Sequence, residues 1–173
     1  MPQAIRAFAL ATLLAFSGSS PYAFGAQVPA ELQPPANEQE LLQVHAQGDQ
    51  IYTCAPSGAQ FGWTLKAPDA QLYDKDGKPF GRHFAGPSWK ADDGSQVTGK
   101  AAANAPSPDA NSIPWLLVKV VSHSGEGVLA QVTSIQRINT NGGKAPASGC
   151  DTTHAGQELR VPYSADYVFF APK

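Results

Sequence analysis

Turn-forming clusters interrupt this chain roughly every 8–14 residues, with alternating or β-branched runs between them. No other feature constrains the fold as much, because an ordinary α-helix needs about 11–12 residues without such punctuation. Leu42, Val44 and Ala46 alternate with Gln43, His45 and Gln47, which is a strand with one apolar face. Gly48-Asp49 and then Gln50 to Cys54 follow, so the pattern predicts a hairpin turning at Gly48-Asp49. An amphipathic helix from Asn37 competes for this stretch, since Glu38 and Glu40 suit a first helical turn. The strict alternation favours the strand.

The same grammar continues. Gly62 to Lys66 reads as a short strand stopped by Ala67-Pro68, and Gln71 to Asp74 as another, turned by Lys75-Asp76-Gly77. Pro79 to Phe84 returns, and Trp89 to Ala91 and Ser95 to Ala103 flank the turn Asp92-Asp93-Gly94. After a loop from Asn104 to Ser112, Ile113 to Ser122 is apolar on both faces and predicts a buried central strand. His123 to Gly127 turns the chain. Val128 to Thr140 runs back, and its alternation slips near Ser134 as at a bulge. Glu158 to Phe170 closes the domain, with Tyr163, Ala165, Tyr167 and Phe169 on one face. The expectation is an all-β fold: a single-domain antiparallel β-barrel or β-sandwich over residues 41–173.

Residues 1–25 have the three parts of a secretory signal peptide: Arg6, the apolar run Ala7 to Phe16, and the small-residue zone that follows. Cleavage after Gly25, Ala23 or Ala26 fits. The apolar run is too short to span a bilayer, which takes about 20 residues. No cysteine near the cleavage zone offers a lipid anchor, so no stable membrane anchor is expected. Residues 26–40 read as an extended, mobile lead with several prolines. The expected location is periplasmic or extracellular. There the only two cysteines, Cys54 and Cys150, pair naturally as one disulfide, two unpaired thiols being the other possibility. The formal net charge of −2 comes without a basic patch or charge run. Nucleic acid is therefore a poor partner, and so is a membrane surface.

The order of motifs carries a resemblance. IYTC at 51–54, Gly62-Trp63, GRHFAGPSW at 81–89, DGSQVTG at 93–99 and IPWLL at 113–117 come first. IQRINTNGGKAP at 135–146, GC at 149–150 and VPYSADYVFF at 161–170 follow. From about residue 40 to the C-terminus the chain resembles an exported bacterial and fungal family known only as domain of unknown function 3455. The resemblance implies an exported, mostly β domain and brings no activity with it. Some fungal members carry a malate dehydrogenase label. This chain has neither a Gly-x-Gly-x-x-Gly after a strand nor the β-α alternation of a dinucleotide site, and no cofactor is expected.

Few residues stand out as chemistry. His45, His83, His123 and His154 are too far apart to supply two metal ligands from one element. A metal site would have to assemble in space, for example from His83 with Asp92 or Asp93, and none is expected. Asp74 to Gly77 begins like a calcium loop but lacks the later oxygen ligands. Ser88 sits in Gly-Pro-Ser-Trp rather than in a Gly-x-Ser-x-Gly elbow. Trp89 follows a turn and is read as an aromatic at a strand edge, suited to a sugar, a small apolar ligand or a partner surface. Arg137 lies between Ile135 and Ile138 and must find a carboxylate or carbonyls, with Asp151 and Asp166 as the expected partners. The favoured function is a non-enzymatic binding domain for a small molecule, glycan or protein, with His83, Trp89, Asp93 and Arg137 at the site. One alternative is a hydrolase or metal-dependent enzyme using His83 with Asp92 or Asp93. Another is an inhibitor of an extracellular enzyme, such as a lysozyme inhibitor.

Overall fold

The computed structural model describes Met1 and residues 27–173. The expected signal peptide, Met1 apart, lies outside the described residues. Eight strands follow in chain order: β1 (Glu38–Ser57), β2 (Gln60–Tyr73), β3 (Pro79–Phe84), β4 (Ser88–Ala91), β5 (Gln96–Ala105), β6 (Trp115–Ser124), β7 (Ser134–Gly142) and β8 (Glu158–Pro172). Each is antiparallel to its neighbours, and β1 pairs with β8 to close the ring. Of the two expected architectures, the fold is the barrel. Closure leaves no sheet edge where neighbours overlap fully, which answers the edge-strand problem.

Two expected turns are not turns, and part of one expected strand is not strand. β1 runs unbroken through Gly48-Asp49 for 20 residues. Gly48 points inward where β1 and β2 come close, and a Cβ there would sit 2.2 Å from the Asp69 carbonyl oxygen. The glycine serves close approach, not reversal. β2 likewise runs through Ala67-Pro68. Its pairing with β3 begins only at Ala70 opposite His83, so Pro68 lies where β2 has no partner on that side. A strand tolerates proline in that setting. Finally, Val128 to Thr133 is not strand; β7 starts at Ser134. Leu129 and Val132 in that segment are fully buried.

The lead is seated rather than loose. Leu32, in a short 3₁₀ turn (Ala30–Leu32), is fully buried with Ala105 and Trp115 against the outside of the barrel. Gln136 donates to its carbonyl at 2.6 Å. The outer face of β6 is therefore apolar at this end for a reason, and Trp115 is a core residue. Cys54 and Cys150 are bonded and close a loop of sequence separation 96. On the chain-entropy model such a crosslink stabilises by about 4–5 kcal/mol. The disulfide fits an oxidising compartment. No helix among the described residues is long and apolar enough to cross a membrane.

Candidate functional site

The barrel has two unlike ends. One carries the β2–β3, β4–β5 and β6–β7 connections, and the Leu129–Val132 segment plugs it. At the other end, the β3–β4 hairpin is too short to fill the wall. β3 pairs with β2 only over Ala70–Tyr73, and β4 with β5 only over Gln96–Thr98. β2 and β5 run on past the hairpin, whose tip is the cis Gly86-Pro87 turn. The result is a notch in the wall. Leu65 reports on it: it pairs with the buried Tyr52 on the inward face, yet it is 51% exposed.

Below the notch lies a cavity of about 350 Å³. That is within the size range of small-molecule sites, about 300–1,000 Å³. Leu65, Lys66, Gly86 and Ala101 form the exposed mouth, and Gln50, His83, Trp89, Val118 and Tyr167 the buried floor. Leu116 and Arg137 stand on the wall between them.

His83 and Trp89 meet because they are directly opposite in the β3–β4 ladder. Their rings stack with centroids 4.4 Å apart and an angle of 13° between planes. Tyr167 closes on both edge-on, at 4.9 Å from His83 and 5.4 Å from Trp89. Gly99 makes room for this group, since a Cβ there would lie 2.3 Å from Val118 Cγ1 and 3.3 Å from the Trp89 ring. Trp89 is thus not at an edge, as its loop-like context implied, but almost wholly buried.

His83 Nδ1 lies 2.9 Å from the Ser88 carbonyl oxygen. A carbonyl only accepts, so Nδ1 carries the proton and Nε2 the lone pair. Burial pulls the His83 pKa down to about 3; the Ser88 carbonyl opposes this, and the charge of Arg137 adds to it. The imidazole is neutral at any physiological pH. Burial pushes the phenols of Tyr163 and Tyr167 up, so both keep their protons.

The floor is rich in polar atoms without partners. Gln50 Nε2, Trp89 Nε1 and the hydroxyls of Tyr163 and Tyr167 are buried and unbonded. Gln50 and Tyr163, Tyr163 and Tyr167, and Tyr167 and Arg137 lie within hydrogen-bonding reach of one another, though none of these contacts has full hydrogen-bond geometry. Each such group costs about 1–3 kcal/mol to leave unpaired. Arg137 comes between Leu116 and Tyr167 in the sheet, and its Nε and Nη2 donate to the Pro114 carbonyl at 3.1 and 2.8 Å. Neither expected carboxylate reaches it. Asp166 accepts from Asn139 and bonds His45, and Asp151 bonds Thr153 and His154. Among the described residues, no carboxylate comes within 4.0 Å of the guanidinium.

Of the residues singled out in the sequence, His83, Trp89 and Arg137 share this cavity and Asp93 does not. Asp93 is at the plugged end, where its carboxylate accepts from the Ser95 amide and hydroxyl and the Val128 amide. These bonds hold its pKa low and tie the β4–β5 turn to the plug. Asp92 lies on the same turn, so His83 meets neither aspartate. The Ser88 hydroxyl bonds Thr98 Oγ1 at 2.9 Å and not His83. No group of three or more potential metal ligands occurs among the described residues. Gln50 is a site residue that the sequence pattern did not single out, and Tyr167 stood out there only as one member of an inward-facing row.

A larger groove, about 730 Å³, lies outside the barrel at the plugged end, beside His45, Asp74 and Asp166. Its His45–Asp166 pair, 2.8 Å apart and completed by Asn139, has its partners already. The lumen cavity is the candidate site because its polar groups do not. No curated protein and no solved structure matches the chain. A family model does match, over residues 34–171, and the chain belongs to the family described as Protein of unknown function (DUF3455).

Proposed function

We propose that this protein is a small-molecule-binding barrel that works outside the cytoplasm and takes its ligand through the notch into the lumen. The observation that carries the reading is the floor of the cavity. Gln50, Trp89 and Tyr167, each about 1% exposed, line one space that opens to solvent beside Leu65, and each carries a buried polar atom without a partner. Unpaired buried donors are rare because they destabilise the fold, and a ligand that accepts from them removes the penalty. The role is binding rather than catalysis: among the described residues no carboxylate lines the cavity to orient or assist His83. The disulfide and the signal-like N-terminal sequence support the location.

The test is a binding screen on the oxidised protein, with melting temperature and tryptophan emission as readouts. The library should cover apolar, polar and charged small molecules. Ala101→Trp places an indole in the exposed mouth without touching the floor. The expected result is a set of compounds that raise the melting temperature, with the effect lost in Ala101→Trp. Hits that survive the blockade, or no hits at all, overturn the lumen as a binding site.

A further inference from the structure

Resting on that reading, we propose that the ligand is a small organic carboxylate, its anionic head at Arg137 and the floor donors and its apolar body toward the mouth. Three independent features converge. The first is charge. Arg137 stands half-buried on the cavity wall and is held by one carbonyl, with no carboxylate beside it among the described residues. Among the described residues no Asp or Glu lines the cavity, and the lysine at its mouth, Lys66, is already paired with Glu158. The lumen therefore has an uncompensated positive charge, and bringing a carboxylate to it removes an unfavourable isolated cation.

The second feature is hydrogen-bond polarity. The unbonded Gln50 amide nitrogen and Trp89 indole nitrogen can only donate, and the Tyr167 hydroxyl has its proton to give. A carboxylate offers about four acceptor positions on two oxygens and no donor, which is the complement of this set. A neutral alcohol would satisfy fewer of them, and a cation none. The third feature is the gradient along the cavity. Leu65, Pro68, Pro87 and Leu116 line the way out, so the part of the ligand farther from the floor meets apolar surface. Guanidinium recognition of a carboxylate with apolar contacts behind it is the general form of an organic-acid site.

The experiment compares isosteres. Benzoate is titrated against benzamide and hexanoate against hexanamide, with the intact oxidised protein, following tryptophan emission and heat. Each acid should bind at least about tenfold tighter than its amide, since hydrogen bonds to charged groups exceed neutral ones by that order. Arg137→Gln should erase the preference and Arg137→Lys should keep part of it. Tyr167→Phe, which removes one donor and no charge, should weaken acid binding several-fold and guards against a misfolded arginine variant. If the amides bind as well as the acids and Ala101→Trp still blocks them, the charge assignment falls and the lumen reading stands. If neither acids nor amides bind while other library compounds do, the carboxylate assignment again falls alone. Only a library without any Ala101-sensitive hit removes both.

Discussion

Phe169 and Tyr167 are neighbours on the inward face of β8, equally buried in one continuous core, and they look toward its two unlike ends. Phe169 looks toward the plugged end. There it shares a core cluster with Val44, Leu72, Val97, Ile135, Leu129 and Val132, a cluster continuous with Trp89 and Tyr167, and its ring meets Trp89 edge-on at 6.5 Å. That end is apolar and its polar rim is satisfied, Asp93 and Ser95 bonding the plug segment. Tyr167 looks toward the notch. Around it are Gln50, Arg137, His83 and Trp89, with polar atoms left over and a gap in the wall above. A closed barrel needs only the first kind of end for stability. The second weakens the fold by unpaired donors and a missing piece of wall, and the disulfide of β1 lies beyond it on the same strand. Where a fold tolerates local inconsistency of this kind, function is the usual reason.

The largest effect should come from the plugged end. Phe169→Ala empties a fully buried site, and truncations of this type cost about 3–5 kcal/mol. Chemical denaturation of the oxidised protein should show the loss. Ligand binding in the surviving folded fraction should stay near wild type, because Phe169 does not line the cavity. A comparable loss of affinity would mean that the two ends are one unit.

Much of this division was legible in the sequence, and the errors have a common cause. The strand character, the single domain and the shared face of Tyr163, Ala165, Tyr167 and Phe169 follow from alternation and turn residues, and the disulfide from two cysteines in a chain with a signal-like start. Gly48 and Pro68 were misread because a glycine or proline is ambiguous without its neighbours. One permits close packing on Asp69 and the other sits beside a missing partner strand. Reading Gly48-Asp49 as a turn also broke the phase. Carried through, the alternation of Val44 and Ala46 puts Gln50 on the inward face, a polar residue where an apolar one is expected. That signal was present. The absence of a carboxylate from Arg137 was not, since it depends on the β7–β8 register, which puts Arg137 opposite the inward Tyr167 and Asp166 opposite Ile138. Asp93 looked like a site residue by its proximity to His83 in sequence. A β-strand of four residues, β4, is enough to put the two near opposite ends of the barrel.

The middle-sized effect concerns His83 and pH. Its folded pKa, about 3, is below the ordinary histidine value of 6.5. Between these values the unfolded chain binds a proton that the folded protein does not, so stability falls as pH drops from about 6.5 toward 3. The slope for one proton is about 1.4 kcal/mol per pH unit. The low-shifted carboxylates of Asp69, Asp74, Asp93, Asp109 and Asp151 also lose stability in acid, but only near and below the usual carboxylate range. Denaturant titrations between about pH 4.5 and 6.5 therefore separate the histidine from these aspartates. His83→Phe, which keeps a ring against Trp89, should flatten the slope in that window. An unchanged slope would place the proton elsewhere and make the notch end less dry than its burial implies.

The smallest effect on stability is the most discriminating. Tyr167→Phe removes a hydroxyl that has no hydrogen bond of full geometry and leaves the ring against His83 and Trp89 in place. Where a tyrosine hydroxyl is bonded, this change usually destabilises by about 1 kcal/mol. Here the folded protein also loses the penalty of a buried, unsatisfied donor, so the expected shift is zero to slightly stabilising, within about 1 kcal/mol. Thermal and denaturant unfolding of ligand-free protein measure it. The variant then separates the two ends by opposite signs: Phe169→Ala trades stability away and leaves binding, whereas Tyr167→Phe leaves stability and weakens binding. A destabilisation well above 1 kcal/mol would show that the hydroxyl is bonded in the folded protein. The notch end would then be a satisfied core like the plugged end, and its polar residues would be there for packing.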